Sequence, residues 1–411
     1  MSSFESAISS HDPPDRLTLG PAALRLKGLG LAVGVVCMAV AIVWGLAIGD
    51  DMRRFFHSYL LAFTYFLSIA LGALFYVVIH HLVSATWSVV FRRLAEIITG
   101  AFPALFVLML GLVLPILAGS HSLFLWTDSD VVAHDHVLLV KQSYLNAPFF
   151  AVRMLIYFAV WMWMSRYFMK RSVQQDETGD VALSNRLRRV SGPAMIAYAL
   201  TTAWAGFDLL MSLTPHWFST IFGVYYFAGA AISIYCLLAI FSFALQRSGR
   251  MTRTISPEHY HDLGKMANSF TLFWAYIGFS QFMLIWAANI PEETTFFRPR
   301  MFTEWKWASL VLIIFHFVVP FVGMMSRHVK RNPPVLAAWA VYMLLLHAFD
   351  LFWVIMPAYS PDAIVFHPMD VLCLIGAGGI CLFGALSVGG NVKLLAVRDP
   401  RLEASIRFIN Q

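Results

Sequence analysis

Charge is scarce in this sequence. Asp, Glu, Lys and Arg make up 13% of its 411 residues, whereas 59% are hydrophobic. A soluble domain carries about a quarter charged residues. The apolar stretches reach the roughly 20 residues that a helix needs to cross a bilayer, and the segments between them are too short for a soluble domain. The composition therefore predicts an all-α polytopic membrane protein with about ten transmembrane helices.

The ten apolar stretches give the predicted organisation of the chain. We expect spans at residues 28–48, 58–79, 100–119, 147–165, 193–213, 221–245, 266–290, 307–326, 334–356 and 371–392. The eight middle spans predict two four-helix bundles, with the first and tenth helices at the periphery. The domains expected are an N-terminal arm at 1–26, a ten-helix transmembrane domain at 27–393 and a C-terminal tail at 394–411. Glycines crowd the tenth span, which indicates close helix packing.

Cysteine is also rare, and its placement argues against several kinds of cofactor site. Cys37, Cys236, Cys373 and Cys381 each lie within a span, and none belongs to a CxxC motif or a Cys/His cluster. We therefore predict packing residues and no metal, disulfide, iron–sulfur cluster or covalently bound haem on this chain. A haem between two histidines would need His316 and His347, which lie on different helices, and His316 is expected to be a packing residue.

The net charge of +6 is explained by membrane topology and does not indicate nucleic-acid binding. Most of the 29 Lys and Arg residues lie in the N-terminal segment, the C-terminal tail and alternate loops. This bias is the positive-inside pattern of membrane proteins. It predicts a multi-pass membrane protein with both termini in the cytoplasm, which in a bacterium would be a protein of the cytoplasmic (inner) membrane.

Three charged residues lie well inside the predicted spans. Arg153, Asp208 and Asp350 fall on three different helices at a similar depth, toward the non-cytoplasmic side. A charge in hydrocarbon is costly unless it is paired or hydrated, so such residues are functional candidates. We expect them to pair with one another or to share a water-filled pocket. An Arg–Asp pair that only locks two helices together is the structural alternative.

Polar residues near these charges predict a proton path. His347 precedes Asp350 by three positions, so the two share a helix face, and a carboxylate beside an imidazole can hold or pass a proton. Tyr276 and Ser280 are expected to line an inward face of the seventh span. The proton-path candidates are Asp208, His347, Asp350, Arg153, Tyr276 and Ser280.

Three segments resemble a known family. They are HWFSTIFGVYYFAGA at 216–230, LGKMANSFTLFWAYIGFSQFMLIWAANIPEETTFFRPR at 263–300 and HAFDLFWVIMP at 347–357. With ten spans and cytoplasmic termini, they resemble the NrfD-like family of polysulfide-reductase membrane subunits, and within it the F subunits of bacterial alternative complex III. The resemblance covers essentially the whole chain.

The resemblance implies a subunit of a respiratory quinol:cytochrome c oxidoreductase. The implied partners are an NrfD-like paralogue (the C subunit), an iron–sulfur subunit, multihaem cytochrome c subunits, small membrane-anchored subunits and, in some assemblies, a terminal cytochrome oxidase. Haem c and iron–sulfur clusters would belong to those partners. This chain would carry no redox cofactor, would contact lipids and would have quinol or quinone as its candidate ligand.

Three functions remain open on sequence alone. The first is a subunit without its own cofactor that supports quinol oxidation and proton transfer. In the second, this chain oxidises quinol itself, with His347 and Asp350 as the quinol site. The third is a proton-coupled secondary transporter in which Arg153 binds an anion and Asp208 a proton. The absence of an obvious internal repeat and the off-centre charges argue against the transporter.

Overall fold

The fold is helical throughout the part of the chain that the structure describes, residues 17–390 and 392–409 of a computed structural model. Most of the predicted N-terminal arm, residues 1–16, lies outside the described residues. Ten of the described helices are long and apolar enough to cross a membrane. They are α1 (Pro21–Ile48), α2 (Arg53–Leu82), α3 (Val89–Leu117), α4 (Ala147–Thr178), α5 (Val181–Leu213), α6 (Phe222–Arg247), α7 (Pro257–Ala288), α8 (Trp305–Gly323), α9 (Pro333–Ala358) and α10 (Pro368–Gly389). The predicted all-α polytopic fold is confirmed.

Local chemistry sets where several of these helices begin and end. The Asn146 side chain accepts a hydrogen bond from the Phe149 backbone N–H and so caps the start of α4. Asp180 caps α5 in the same way. Gly49 follows α1 in the left-handed conformation, with φ of 76°, a conformation that glycine adopts without steric cost. Within the apolar spans, helix is favoured because every backbone polar group finds its partner inside the segment.

The ten helices form two four-helix bundles and one outer pair. The first bundle comprises α2 to α5 and the second α6 to α9, and in each bundle neighbours in sequence pack together and the last helix returns to the first. Helix α2 is the most buried of the ten and joins the bundles by packing against α6 and α9. Helices α1 and α10 pair outside the bundles, with α10 resting on α2 and α3. The predicted arrangement of the helices is confirmed.

Glycine lets α1 and α10 approach closely. A Cβ added to Gly379 would lie 2.3 Å from the backbone oxygen of Gly30, and one added to Gly34 would lie 2.9 Å from that of Gly376. Neither distance is compatible with a side chain. The close packing predicted from the glycines of the tenth span therefore occurs within this chain.

The described ends of the chain meet at one end of the bundles, here called the terminal face. The Leu394 N–H donates to the Leu17 carbonyl at 2.7 Å, and Arg250 Nε donates to the Thr18 carbonyl at 3.0 Å. The opposite end is called the far face. Arg153 near the start of α4, Asp208 near the end of α5 and Asp350 in the last third of α9 all lie toward the far face, as predicted.

Replacing Gly379 with Leu tests the glycine contact between α1 and α10. The added side chain collides with the backbone of α1, and overpacking of this kind costs about 1–3 kcal/mol. We expect a lower melting temperature for the detergent-solubilised protein. Gly28→Leu is the matched control, because a Cβ at Gly28 meets nothing within 4 Å. Equal melting temperatures for the two variants would contradict this account.

Candidate functional site

Arg153 and Asp208 form a closed ion pair between α4 and α5. Nε and Nη2 of Arg153 donate to the two carboxylate oxygens of Asp208, each at 2.9 Å. The Tyr157 hydroxyl donates to the same carboxylate at 2.8 Å, and Nη1 of Arg153 donates to the Tyr144 carbonyl at 2.8 Å. The Arg153 and Asp208 side chains are buried. The predicted mutual pairing is confirmed for these two residues.

This pair is already fully engaged within the protein. All three guanidinium nitrogens of Arg153 donate to protein oxygens, and its guanidinium also lies 3.9 Å from the centre of the Tyr144 ring. A two-pronged, charge-assisted contact of this kind holds two helices in a fixed register. The geometry favours a helix lock over an anion-binding or proton-passing role.

Asp350 belongs to a different cluster, so the three charges do not all pair with one another. Its Oδ1 accepts from the Tyr225 hydroxyl of α6, and its Oδ2 accepts from Trp274 Nε1 of α7 at 3.2 Å. The carboxyl is buried. Among the described residues it forms no ion pair with Lys or Arg, in contrast to Asp208. The expectation that Asp350 pairs with Arg153 or Asp208 is wrong. The hydrogen bonds between Arg153 and Asp208 lie within the first bundle, whereas those of Asp350 lie within the second.

His347 connects this cluster to the first bundle. Its Nε2 lies 2.9 Å from the Ser68 hydroxyl of α2, and its Nδ1 lies 3.9 Å from Asp350 Oδ2. The shared helix face is as predicted, but 3.9 Å is too long for a hydrogen bond. Gly229 makes room for the ring, since a Cβ there would lie 2.4 Å from His347 Cε1. A small movement or one water molecule would connect His347 with Asp350.

His316 adds a second buried imidazole that the sequence did not connect with Asp350. It lies in a widened, π-helical turn of α8, at Leu312–Val318, and its ring centre is 4.3 Å from that of Trp274. Neither ring nitrogen makes a hydrogen bond of normal geometry. Pro320 lacks the N–H that would bond the residue 316 carbonyl in a regular helix, which accounts for the irregular turn. We predicted that His316 is a packing residue, and that prediction did not include the lack of a hydrogen-bond partner for its ring.

Tyr276 and Ser280 do not line the interior. Tyr276 is 62% exposed on the outer surface of α7, and the half-buried Ser280 hydroxyl donates to the Tyr276 carbonyl of its own helix. The predicted inward placement is wrong for both residues. Trp274, Ile277 and Gln281 are the residues of this stretch that face inward, which places Tyr276 on the opposite side of the helix.

A cavity of about 470 Å³ adjoins the Asp350 cluster. Tyr225 and Trp274 lie between the cavity and the carboxyl, because both line the cavity and both donate to Asp350. The other lining residues are largely aromatic or aliphatic, with polar groups at Gln281, Ser309 and Arg300. The volume lies in the usual range for small-molecule sites.

A second set of buried charges lies at the terminal face and was missed from sequence. Helix α3 begins at Val89, well before the predicted start of the third span, so Arg92, Arg93 and Glu96 are buried. Arg92 pairs with Asp399 at 2.6 Å, and Arg93 pairs with Asp176 at 2.7 Å. These partners come from distant parts of the chain, so no local sequence signal identifies them. The Arg92 pair anchors the C-terminal segment to the bundle, and the Arg93 pair connects α3 with α4.

No metal centre is assembled from the described residues. Within 17–390 and 392–409, no three His, Cys, Asp or Glu side chains come together as a metal site. The four cysteines have free thiols.

The ion pair of Arg153 and Asp208 gives a direct prediction about stability. Arg153→Met leaves a buried, unpaired carboxylate and should lower the free energy of unfolding by about 3–5 kcal/mol. Adding Asp208→Asn removes that charge, so the double variant should be more stable than Arg153→Met alone. Tyr157→Phe is the milder comparison and should cost about 1 kcal/mol. Thermal unfolding in detergent measures all three, and a double variant no more stable than the single one would contradict the pairing.

Comparison with known proteins does not place this chain in a family. No family model matches it, and no curated protein is significantly similar to it. What the protein does must therefore be argued from the clusters and the cavity described above.

Proposed function

We propose that this chain is an integral membrane subunit of a quinol:cytochrome c oxidoreductase of the alternative complex III type. It has no redox centre of its own in this proposal. It supports quinol oxidation by a partner subunit and transfers protons through the buried cluster around Asp350. Both termini face the cytoplasm, so the far face looks outward, where quinol oxidation releases its protons.

One observation carries the proposal: the three segments that resemble this family meet in space. Tyr225 comes from the first segment, Trp274 from the second and Asp350 from the third, and the first two donate to the third. Arg300 and Trp353, from the second and third segments, line the adjoining cavity. The three segments thus contribute neighbouring side chains to one place in the second bundle.

The contrast between the two buried aspartates supports a proton role for Asp350. Asp208 is held by a guanidinium, so protonating it would break an ion pair. Asp350 is held by the neutral donors Tyr225 and Trp274, with the His347 ring close by. A carboxyl in such a setting can gain and lose a proton without breaking an ion pair. Buried ionisable groups of this kind are typical of proton relays in membrane proteins.

The partners in this proposal carry the electron transfer. They are the NrfD-like C paralogue, the iron–sulfur subunit, the multihaem cytochrome c subunits, small membrane-anchored subunits and, in some assemblies, a terminal oxidase. Haem c and iron–sulfur clusters sit on those chains. The wide apolar outer surfaces of α1, α7 and α8 offer room for lipids and for partner helices within the membrane.

A second candidate function is quinol binding by this chain itself. The cavity of about 470 Å³ beside Tyr225 and Trp274 favours it, since these two residues connect the cavity with Asp350. A quinol inhibitor bound in this cavity would support that function, whereas binding only in the paralogue would exclude it. The transporter hypothesis loses its proposed anion site, because Arg153 is occupied by Asp208 and Tyr144.

Purification from native membranes tests the assembly. The full-length, affinity-tagged chain, solubilised in mild detergent, should bring down iron–sulfur and multihaem cytochrome subunits in fixed ratio. Absorption spectroscopy detects the haem, and peptide mass spectrometry identifies the subunits. A stable, monodisperse chain without these subunits would refute the proposal.

Asp350→Asn tests the proton role. The amide keeps the shape of the side chain but cannot exchange a proton, so quinol:cytochrome c turnover should fall by about 100-fold, with the complex still assembled. Tyr276→Phe is the matched control and should leave turnover unchanged, because Tyr276 is on the outer surface. Turnover of Asp350→Asn at the wild-type rate, in an intact complex, would remove Asp350 from the mechanism.

A further inference from the structure

Arg300 is a buried cation that has no anionic partner among the residues that the structure describes. It lies at the far face in the short helix Phe297–Phe302 and is 2% exposed. Its Nη1 and Nη2 donate to the backbone carbonyls of Phe296 and Val354, at 2.5 and 2.8 Å. Its Nε has no hydrogen-bond partner. Neutral carbonyls hold the side chain in place but do not neutralise its charge.

Aromatic rings surround Arg300, and no Asp or Glu of the described chain forms an ion pair with it. Its guanidinium lies 3.6 Å from the ring centre of Phe296 and 4.8 Å from that of Trp353. Burial lowers the pKa of Arg300 to about 9, which leaves it cationic at neutral pH. Other buried arginines of the described chain, such as Arg54, Arg92 and Arg153, each have a carboxylate partner. The missing counter-charge at Arg300 thus points to an anion from outside the chain.

The cavity that Arg300 lines opens toward lipid. Phe279 of α7 and Ile313 of α8 belong to its wall and are 61% and 57% exposed on the outer surface of the second bundle. The rest of the wall is mainly aromatic and aliphatic. A molecule that fits must therefore have an apolar body and an anionic group, and it reaches the cavity sideways from the bilayer.

We propose that this cavity binds an anionic phospholipid, with its phosphate on Arg300 and part of an acyl chain between α7 and α8. The position at the far face matches the depth of a lipid headgroup. No Asp or Glu lines the cavity among the described residues, so no carboxylate there would pair with the ammonium group of a zwitterionic lipid. This site does not require the redox role proposed above, but it competes with the second candidate function, because both place a ligand in the same cavity.

Lipid retention by the purified full-length chain tests this site. The chain is reconstituted in nanodiscs of phosphatidylethanolamine with a minor fraction of phosphatidylglycerol, then extracted in detergent, and bound lipid is measured by native mass spectrometry. The wild type should retain phosphatidylglycerol in preference to phosphatidylethanolamine. Arg300→Gln keeps donor groups but removes the charge, and it should weaken retention by about tenfold. Arg298→Gln, on the same short helix but exposed, should retain lipid as the wild type does.

A second variant keeps the test decisive if Arg300→Gln misfolds. Gly278 also lines the cavity, and a Cβ there would meet the Tyr225 ring at 3.4 Å, so Gly278→Leu takes up cavity space and leaves the charge of Arg300 in place. It should lose the retained phosphatidylglycerol while circular dichroism still shows a folded protein. Three results would overturn the proposal: retention of the two lipids without preference, retention unchanged in Gly278→Leu, or a quinone found in the cavity in place of phospholipid.

Discussion

The cost of placing charge in hydrocarbon governs this structure. An ionised side chain in the membrane needs a counter-charge, strong hydrogen bonds or water. The buried charges of the described chain meet that need in more than one way. Arg153 and Asp208 neutralise each other. Asp350 has hydrogen-bond donors but no fixed cation, and Arg300 has acceptors but no fixed anion. Asp350 and Arg300 have no counter-charge from Asp, Glu, Lys or Arg among the described residues, and they lie in the cluster and in the wall of the adjoining cavity.

The presence or absence of a counter-charge distinguishes the buried residues that tie helices together from those that we propose to be functional. Closed pairs tie helices together: Arg153 with Asp208 across α4 and α5, and Arg92 with Asp399 between α3 and the C-terminal segment. They hold the first bundle and the terminal face in a fixed geometry. The second bundle contains the cavity and the irregular turn at His316. The first bundle contacts the Asp350 cluster through Ser68 of α2, whose hydroxyl lies 2.9 Å from His347 Nε2.

Much of the fold was predictable because the membrane constrains it strongly. Ten apolar stretches gave ten helices, and the glycines of α10 gave its close contact with α1. The similar depth of Arg153 and Asp208 also predicted their pairing.

The orientation of Tyr276 was not predictable in this way, because a hydroxyl on an apolar helix gives no sign of which side faces lipid. The buried start of α3 depends on Asp176 and Asp399, which lie far away in sequence. No sequence feature discussed above singles out Arg300, and only the folded chain places it in the cavity wall.

Infrared titration of the carboxyl groups tests the central claim most directly. A protonated carboxyl gives a band that is distinct from that of a carboxylate, and purified wild type and single variants can be compared over a range of pH. The account predicts a buried carboxyl band that changes with pH in the wild type and in Tyr276→Phe but is lost in Asp350→Asn. A spectrum of Asp350→Asn that titrates as the wild type does would contradict the proposal that Asp350 exchanges protons.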